Sequence, residues 1–135
     1  MLKDRIAEGV YVLTSDLYFE VTAGMVVTSE GAIIIDTLPF PSETKQLKQL
    51  ALKESPNGIR YVILTHYHAD HSLGSYLFEE AELIAHEKTR SLLYTEGLKR
   101  LSEAQAHNPE LRDVRIILPQ VTFNGTMSIH LGDKT

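Results

Sequence analysis

Arg60-Tyr61-Val62-Ile63-Leu64-Thr65-His66-Tyr67-His68-Ala69-Asp70-His71 is the segment from which the rest of the chain takes its meaning. Its first half, Arg60 to Thr65, is a short apolar run rich in β-branched and aromatic residues, the pattern of a buried strand. Its second half gathers three imidazoles and a carboxylate between His66 and His71. From Ser72 to about Glu79, Leu73, Tyr76 and Leu77 recur at helical spacing. The cluster therefore lies where a strand passes through a loop into a helix, beyond a strand's carboxyl end, where α/β sheets carry ligands.

The spacing suits metal binding. In an extended segment residues two apart point the same way, so His66 and His68 converge on one ion while Tyr67 and Ala69 face the other side. Asp70 and His71 fall where the chain turns into the helix and reach towards a second ion. Imidazole with carboxylate suits zinc, iron and copper, whereas calcium and magnesium call for oxygen ligands. A plain helix start, with Asp70 as N-cap, explains one residue and leaves three histidines without a role.

Thr65-His66-Tyr67-His68-Ala69-Asp70-His71, followed by Leu73-Gly74, resembles the HxHxDH signature of the metallo-β-lactamase superfamily. The Asp-His ending is most similar to the glyoxalase II-like branch. The resemblance implies that His66 and His68 hold one metal and that Asp70 and His71 hold the other. It also implies that a metal-bound hydroxide attacks an ester, thioester, lactone or phosphodiester, with Asp70 orienting it as the catalytic carboxylate. The implied cofactor is zinc, one or two ions, with iron or manganese as alternatives. Asp36, at the end of the Ala32-Ile33-Ile34-Ile35 run, matches a carboxylate that lies beside the metal site in that family and orients its ligands. His86, at a strand end, matches no family ligand and stays outside the ligand set.

A chain of 135 residues is one domain, 1–135, able to bury roughly two thirds of its unfolded surface. Its net charge of −5 and lack of any basic run longer than Lys99-Arg100 argue against nucleic acid as partner. With no cysteine there is neither a disulfide nor a thiolate site. No stretch reads as a signal peptide or a bilayer span, so a cytoplasmic protein without membrane attachment is expected.

The remaining segments predict a β-meander and then a βαβ unit, an α/β fold with a mixed sheet and helices on one face. Strands are expected at Val10–Leu13, Leu17–Thr22, Met25–Thr28 and Ala32–Ile35. A helix follows from Pro41-Ser42-Glu43, with Ser42 as N-cap, Glu43 on the positive end of the dipole and Leu47, Leu50 and Ala51 inward. It stops at Ser55-Pro56-Asn57-Gly58, and the strand through Ile63 then pairs in parallel with the one through Ile33. Glu82–Ala85 reads as another strand. Glu87 to about Ala106 reads as one helix with Leu92, Leu93, Leu98 and Leu101 inward, closed by Asn108-Pro109. Asn124-Gly125 between Val121–Phe123 and Thr126–Leu131 predicts a hairpin, with His130 on its exposed side.

In the resembling family this pattern is the first half of an αβ/βα sandwich. A third histidine, a bridging aspartate and a last histidine come from the second half, and Gly132-Asp133 does not supply them. The chain is thus expected to be truncated before that half and to leave an apolar sheet face open. Two functions follow. One is a metal-dependent hydrolase of a small-molecule substrate, completed by the missing half. The other is a non-catalytic half-domain that forms a homodimer over its open sheet face and binds metal weakly or not at all.

Overall fold

In the computed structural model, which describes residues 1–135, seven strands form one sheet whose spatial order is the order of the chain. Strands β1 (Leu2–Ala7), β2 (Val10–Thr14), β3 (Thr22–Thr28) and β4 (Gly31–Ile35) pair antiparallel in succession. Helix α1 (Pro41–Glu54) then crosses over to β5 (Ile59–Ile63), which pairs in parallel with β4 through Ile33–Tyr61 and Ile35–Ile63. Strands β6 (Glu82–His86) and β7 (Val121–Phe123) continue the parallel half. This is the mixed α/β sheet expected from the sequence. No helix is long and apolar enough to cross a membrane.

Alternation along the strands explains the layering. Leu13, Met25, Ile34 and Val62 point to the helical side, where Leu47 and Ala51 of α1 complete a fully buried core. The opposite face carries Val10, Val26, Ile33, Ile35 and Ile63. Residues 124–135 recross that face. Met127 and Ile129 lie against it, and Gly132 and Asp133 are pinned to the β3–β4 turn. There the Gly132 N–H donates to Glu30 (2.9 Å) and the Ser29 N–H to Asp133 (2.9 Å). The hairpin predicted at Asn124-Gly125 is therefore absent. Val121–Phe123 takes the parallel edge of β6, and the run after Gly125 leaves the sheet to cover apolar surface.

Other local expectations need correction. Leu2–Ala7 forms an unforeseen edge strand, exposed along its whole length. Leu17–Thr22 is not a strand. The Ser15 hydroxyl accepts the N–H groups of Leu17 and Tyr18, and Phe19 and Glu20 take left-handed backbone at φ 43° and 55°. Phe40, not Ser42, occupies the N-cap of α1, and Pro41 starts the helix. Glu43 is buried and accepts the Ser15 hydroxyl and the Asp16 N–H, which fastens the loop after β2 to α1.

The expected helix from Ser72 to Glu79 is instead the short α2 (Ala69–Ser72) and a 3-10 turn, Leu73–Leu77. His68 stands at the N-cap of α2, so Asp70 is not the cap. The long helix after β6 is broken into α3 (Glu87–Leu92) and α4 (Leu98–His107) by a π turn at Leu93–Gly97. The wider turn shifts the inward face. Leu93 and Leu101 are buried, whereas Leu92 and Leu98 are 38% and 48% exposed.

Two threonines lock the loop after β5 to the rest of the fold. The Thr37 N–H donates to the His71 carbonyl (2.8 Å), and the Thr37 hydroxyl accepts the Gly74 N–H (2.9 Å). Thr44 of α1 donates to the Thr37 carbonyl (2.7 Å). At Gly74 a Cβ would stand 2.6 Å from the Thr44 side chain and 2.7 Å from the Thr37 carbonyl oxygen, so the backbones close on each other only because glycine is there.

Candidate metal centre

The site is assembled from two strand ends. β4 stops at Ile35, and the Asp36 N–H still donates to the Ile63 carbonyl (2.9 Å), carrying the parallel pairing one residue further. Asp36 then takes φ 63°, and Leu38 takes φ 66°. Left-handed backbone costs a non-glycine residue about 1–2 kcal/mol. Here it turns the Asp36 carboxylate towards the loop after β5, where three donors meet it. The Thr65 N–H reaches Oδ1 (2.8 Å), while the Thr65 hydroxyl (2.7 Å) and His71 Nδ1 (2.8 Å) reach Oδ2. Charge-assisted bonds of this kind contribute more than neutral ones and offset the strained backbone.

Beyond Ile63 the chain bends at Thr65–Tyr67, so strand alternation does not govern His66 and His68. Their rings still stand 4.9 Å apart, edge to face, and the His66 ring is nearer to His71, at 4.2 Å. One ligand atom each of Asp36, His66 and His71 falls within 4.8 Å of the others, which makes these three a candidate metal site. His68 lies outside that group on the exposed side of the loop, and Asp70 adjoins it through His71. Asp36 is buried and already accepts three hydrogen bonds, so it serves better as the group that orients donors than as a donor itself.

The donor chemistry fits a cation. Asp36 accepts the Nδ1–H of His71, and Asp70 Oδ2 lies 3.3 Å from the Nε2 of that ring. In the neutral ring Nε2 carries a lone pair, so two electron-pair donors face each other, an arrangement that a zinc-like ion satisfies; a protonated ring would instead donate Nε2–H to Asp70. Burial, with the His71 and His68 rings next to it, holds the His66 imidazole below its ordinary value of 6.5. In the metal-free chain the His66 ring should accordingly titrate below 6.5 in a proton NMR pH series. The unfolded chain then binds the proton first. The stability present above that pH is lost as pH falls through the lower folded value. A midpoint at or above 6.5 would contradict this environment.

Residues 18–135 match the Metallo-beta-lactamase superfamily. The chain belongs to this superfamily. Among solved structures, BJP-1, a subclass B3 metallo-beta-lactamase of Bradyrhizobium japonicum, superposes at TM-score 0.71 with 22% identity over 97% of this chain and 48% of its own. Native FEZ-1 metallo-beta-lactamase from Legionella gormanii gives 0.71 at 19% identity, covering 98% and 50%. A metallo-beta-lactamase from Pontibacter korlensis gives 0.65 at 23%, covering 97% and 56%. These likenesses establish the metallo-beta-lactamase fold. The chain spans about half the length of the solved structures it matches.

Around the centre of this metallo-beta-lactamase-fold chain lies a groove between His68 and Asp70 on one side and α4 on the other. Arg100, Glu103 and His107 form its helical wall at i, i+3 and i+7, and Tyr18 also lines it. The π turn gives α4 this orientation, and sequence periodicity carried no sign of it. Thr65 likewise carries no local signal of its role, because its partner is Asp36 on a different strand end. His86 is structural. Its Nδ1 accepts the Lys88 N–H (3.0 Å) at the start of α3, and its ring packs edge-on against Phe123.

Proposed function

We propose that the chain supplies the His66/His68 and Asp70/His71 ligands of a metal-dependent hydrolase whose remaining ligands lie outside it. The observation that carries this reading is the pairing of Asp36 with His71 Nδ1, which leaves Nε2 3.3 Å from Asp70 Oδ2. When bound, zinc, or iron or manganese in its place, would lower the pKa of a coordinated water and polarise a scissile carbonyl or phosphoryl group. Asp36 keeps the His71 ring in one tautomer. Asp70 directs Oδ2 at His71 and, as the carboxylate of the centre, would orient an attacking water. A small ester, thioester, lactone or phosphodiester would lie in the groove between His68 and α4, lined by Arg100 and Tyr18.

A second reading is favoured by the apolar face of Val10, Val26, Ile33, Ile35 and Ile63, which residues 124–135 cover only in part, Met127 itself remaining 41% exposed. In it the chain is a non-catalytic module that dimerises over that face. Native mass spectrometry after equilibration with zinc, together with turnover of an aryl thioester and an aryl phosphodiester, separates the two. The hydrolase reading expects one or two zinc ions per chain and, once the remaining ligands are supplied, zinc-dependent cleavage of one ester class. A metal-free dimer that cleaves neither would leave only the second reading.

A further inference from the structure

We infer that Thr65 is a positioning residue that sets the tautomer of His66, so that Asp36 governs two imidazoles rather than one. The argument is one of proton counting. Thr65 Oγ1 lies 2.7 Å from Asp36 Oδ2 and 2.9 Å from His66 Nδ1. A hydroxyl carries one proton. An ionised carboxylate has none to give, so the Thr65 proton goes to Asp36. The Thr65 oxygen is then an acceptor towards His66, and only an Nδ1–H on that ring satisfies the contact. Were the hydroxyl to point at His66 instead, its oxygen would face Asp36 Oδ2 at 2.7 Å with no proton between them.

The same carboxylate oxygen takes the Nδ1–H of His71. Both rings are thereby held with the proton on Nδ1 and the Nε2 lone pair free, one directly and one through Thr65. A neutral imidazole in water keeps its proton mainly on Nε2, so this state opposes the ring's own preference and has to be imposed. Threonine suits the task because its β-branch restricts χ1 and holds the hydroxyl on the Asp36 side.

The inference deepens the metal-ligand reading of His66 and rests on it for its purpose, but its primary test needs no metal. Two-bond nitrogen–proton correlation spectra of the metal-free chain at mildly alkaline pH read each tautomer directly. In the native chain His66 and His71 should both carry Nδ1–H. In Thr65→Val, which keeps the shape and removes the hydroxyl, His66 should switch to Nε2–H while His71 keeps Nδ1–H and reports that the loop is intact. Thr65→Ser should restore the native pattern.

Zinc affinity should follow the tautomer, falling about 10-fold or more in Thr65→Val and recovering in Thr65→Ser, in line with the loss of an outer hydrogen-bond partner of a metal ligand. An Nε2–H on His66 in the native chain overturns the inference without any variant having to fold. So does an unchanged His66 in a folded Thr65→Val. Native tautomers as expected, in a chain that takes up no zinc, would overturn the ligand reading and leave the tautomer assignment standing.

Discussion

Zinc affinity should fall by more than about 100-fold in His71→Ala and by about 10- to 100-fold in Asp36→Asn, as measured by competition with a chromophoric chelator. The two values are tied together by geometry. Losing a partner that orients a ligand costs about 10–100-fold in affinity, so losing the ligand itself must cost more. His71 offers Nε2 beside Asp70 Oδ2, whereas Asp36 spends both oxygens on Thr65 and His71. Asparagine in its place presents one oxygen and an NH2 group to a buried pocket in which three donors converge. At least one donor then loses its partner, which also costs about 1–3 kcal/mol of stability. The ranking is the informative part. A larger loss in Asp36→Asn than in His71→Ala would make Asp36 a direct ligand and reverse the assignment drawn from its hydrogen bonds.

Gly74→Ala should destabilise the fold by about 3 kcal/mol, at the upper end of what one overpacked methyl costs. For a chain of this size that amounts to roughly 10 °C in Tm by calorimetry or circular dichroism. Away from a contact, alanine in a helical turn would be favoured over glycine by about 1 kcal/mol, so any loss reports the collision itself. The methyl would meet the β-branched Thr44 at 2.6 Å and the Thr37 carbonyl at 2.7 Å, neither of which is the mobile end of a long side chain. Thr44→Ala in the same chain should recover only part of the loss, because the carbonyl contact remains. Thr37 also carries the His71 carbonyl on its N–H, so zinc affinity should fall along with stability. A Gly74→Ala chain with unchanged or raised Tm would show that the close approach is not what fixes this residue.

How far the sequence could be read follows from which residues obey a local rule. Ile33 and Ile63 sit in continuous apolar runs flanking a helix with a clear stop, and that is enough for a parallel crossover. The strand-to-loop position of His66–His71 was equally legible, because a change of pattern marks it. Leu92 and Leu98 were misplaced because a period of 3.6 was carried straight through a π turn, whose extra residue leaves no mark in hydrophobic spacing. The hairpin at Asn124-Gly125 failed because an apolar strand can bury itself in two ways, and Met127 and Ile129 found a sheet face instead of a partner strand. The His66 and His68 rings come within 4.9 Å of each other although the chain bends at Thr65–Tyr67, so their approach does not rest on strand alternation. Thr65 had no role from sequence because its importance lies in a contact with Asp36, which only the β4–β5 pairing creates.

The sheet's spatial order, in which every strand lies beside its neighbour in sequence, bears on how the protein is made. Local pairings close short loops and form quickly. Asp36, Thr65, His66, His71 and the clasp at Gly74 all lie between residues 36 and 74. As the polypeptide leaves the ribosome, the residues of the candidate site would therefore emerge ahead of α4.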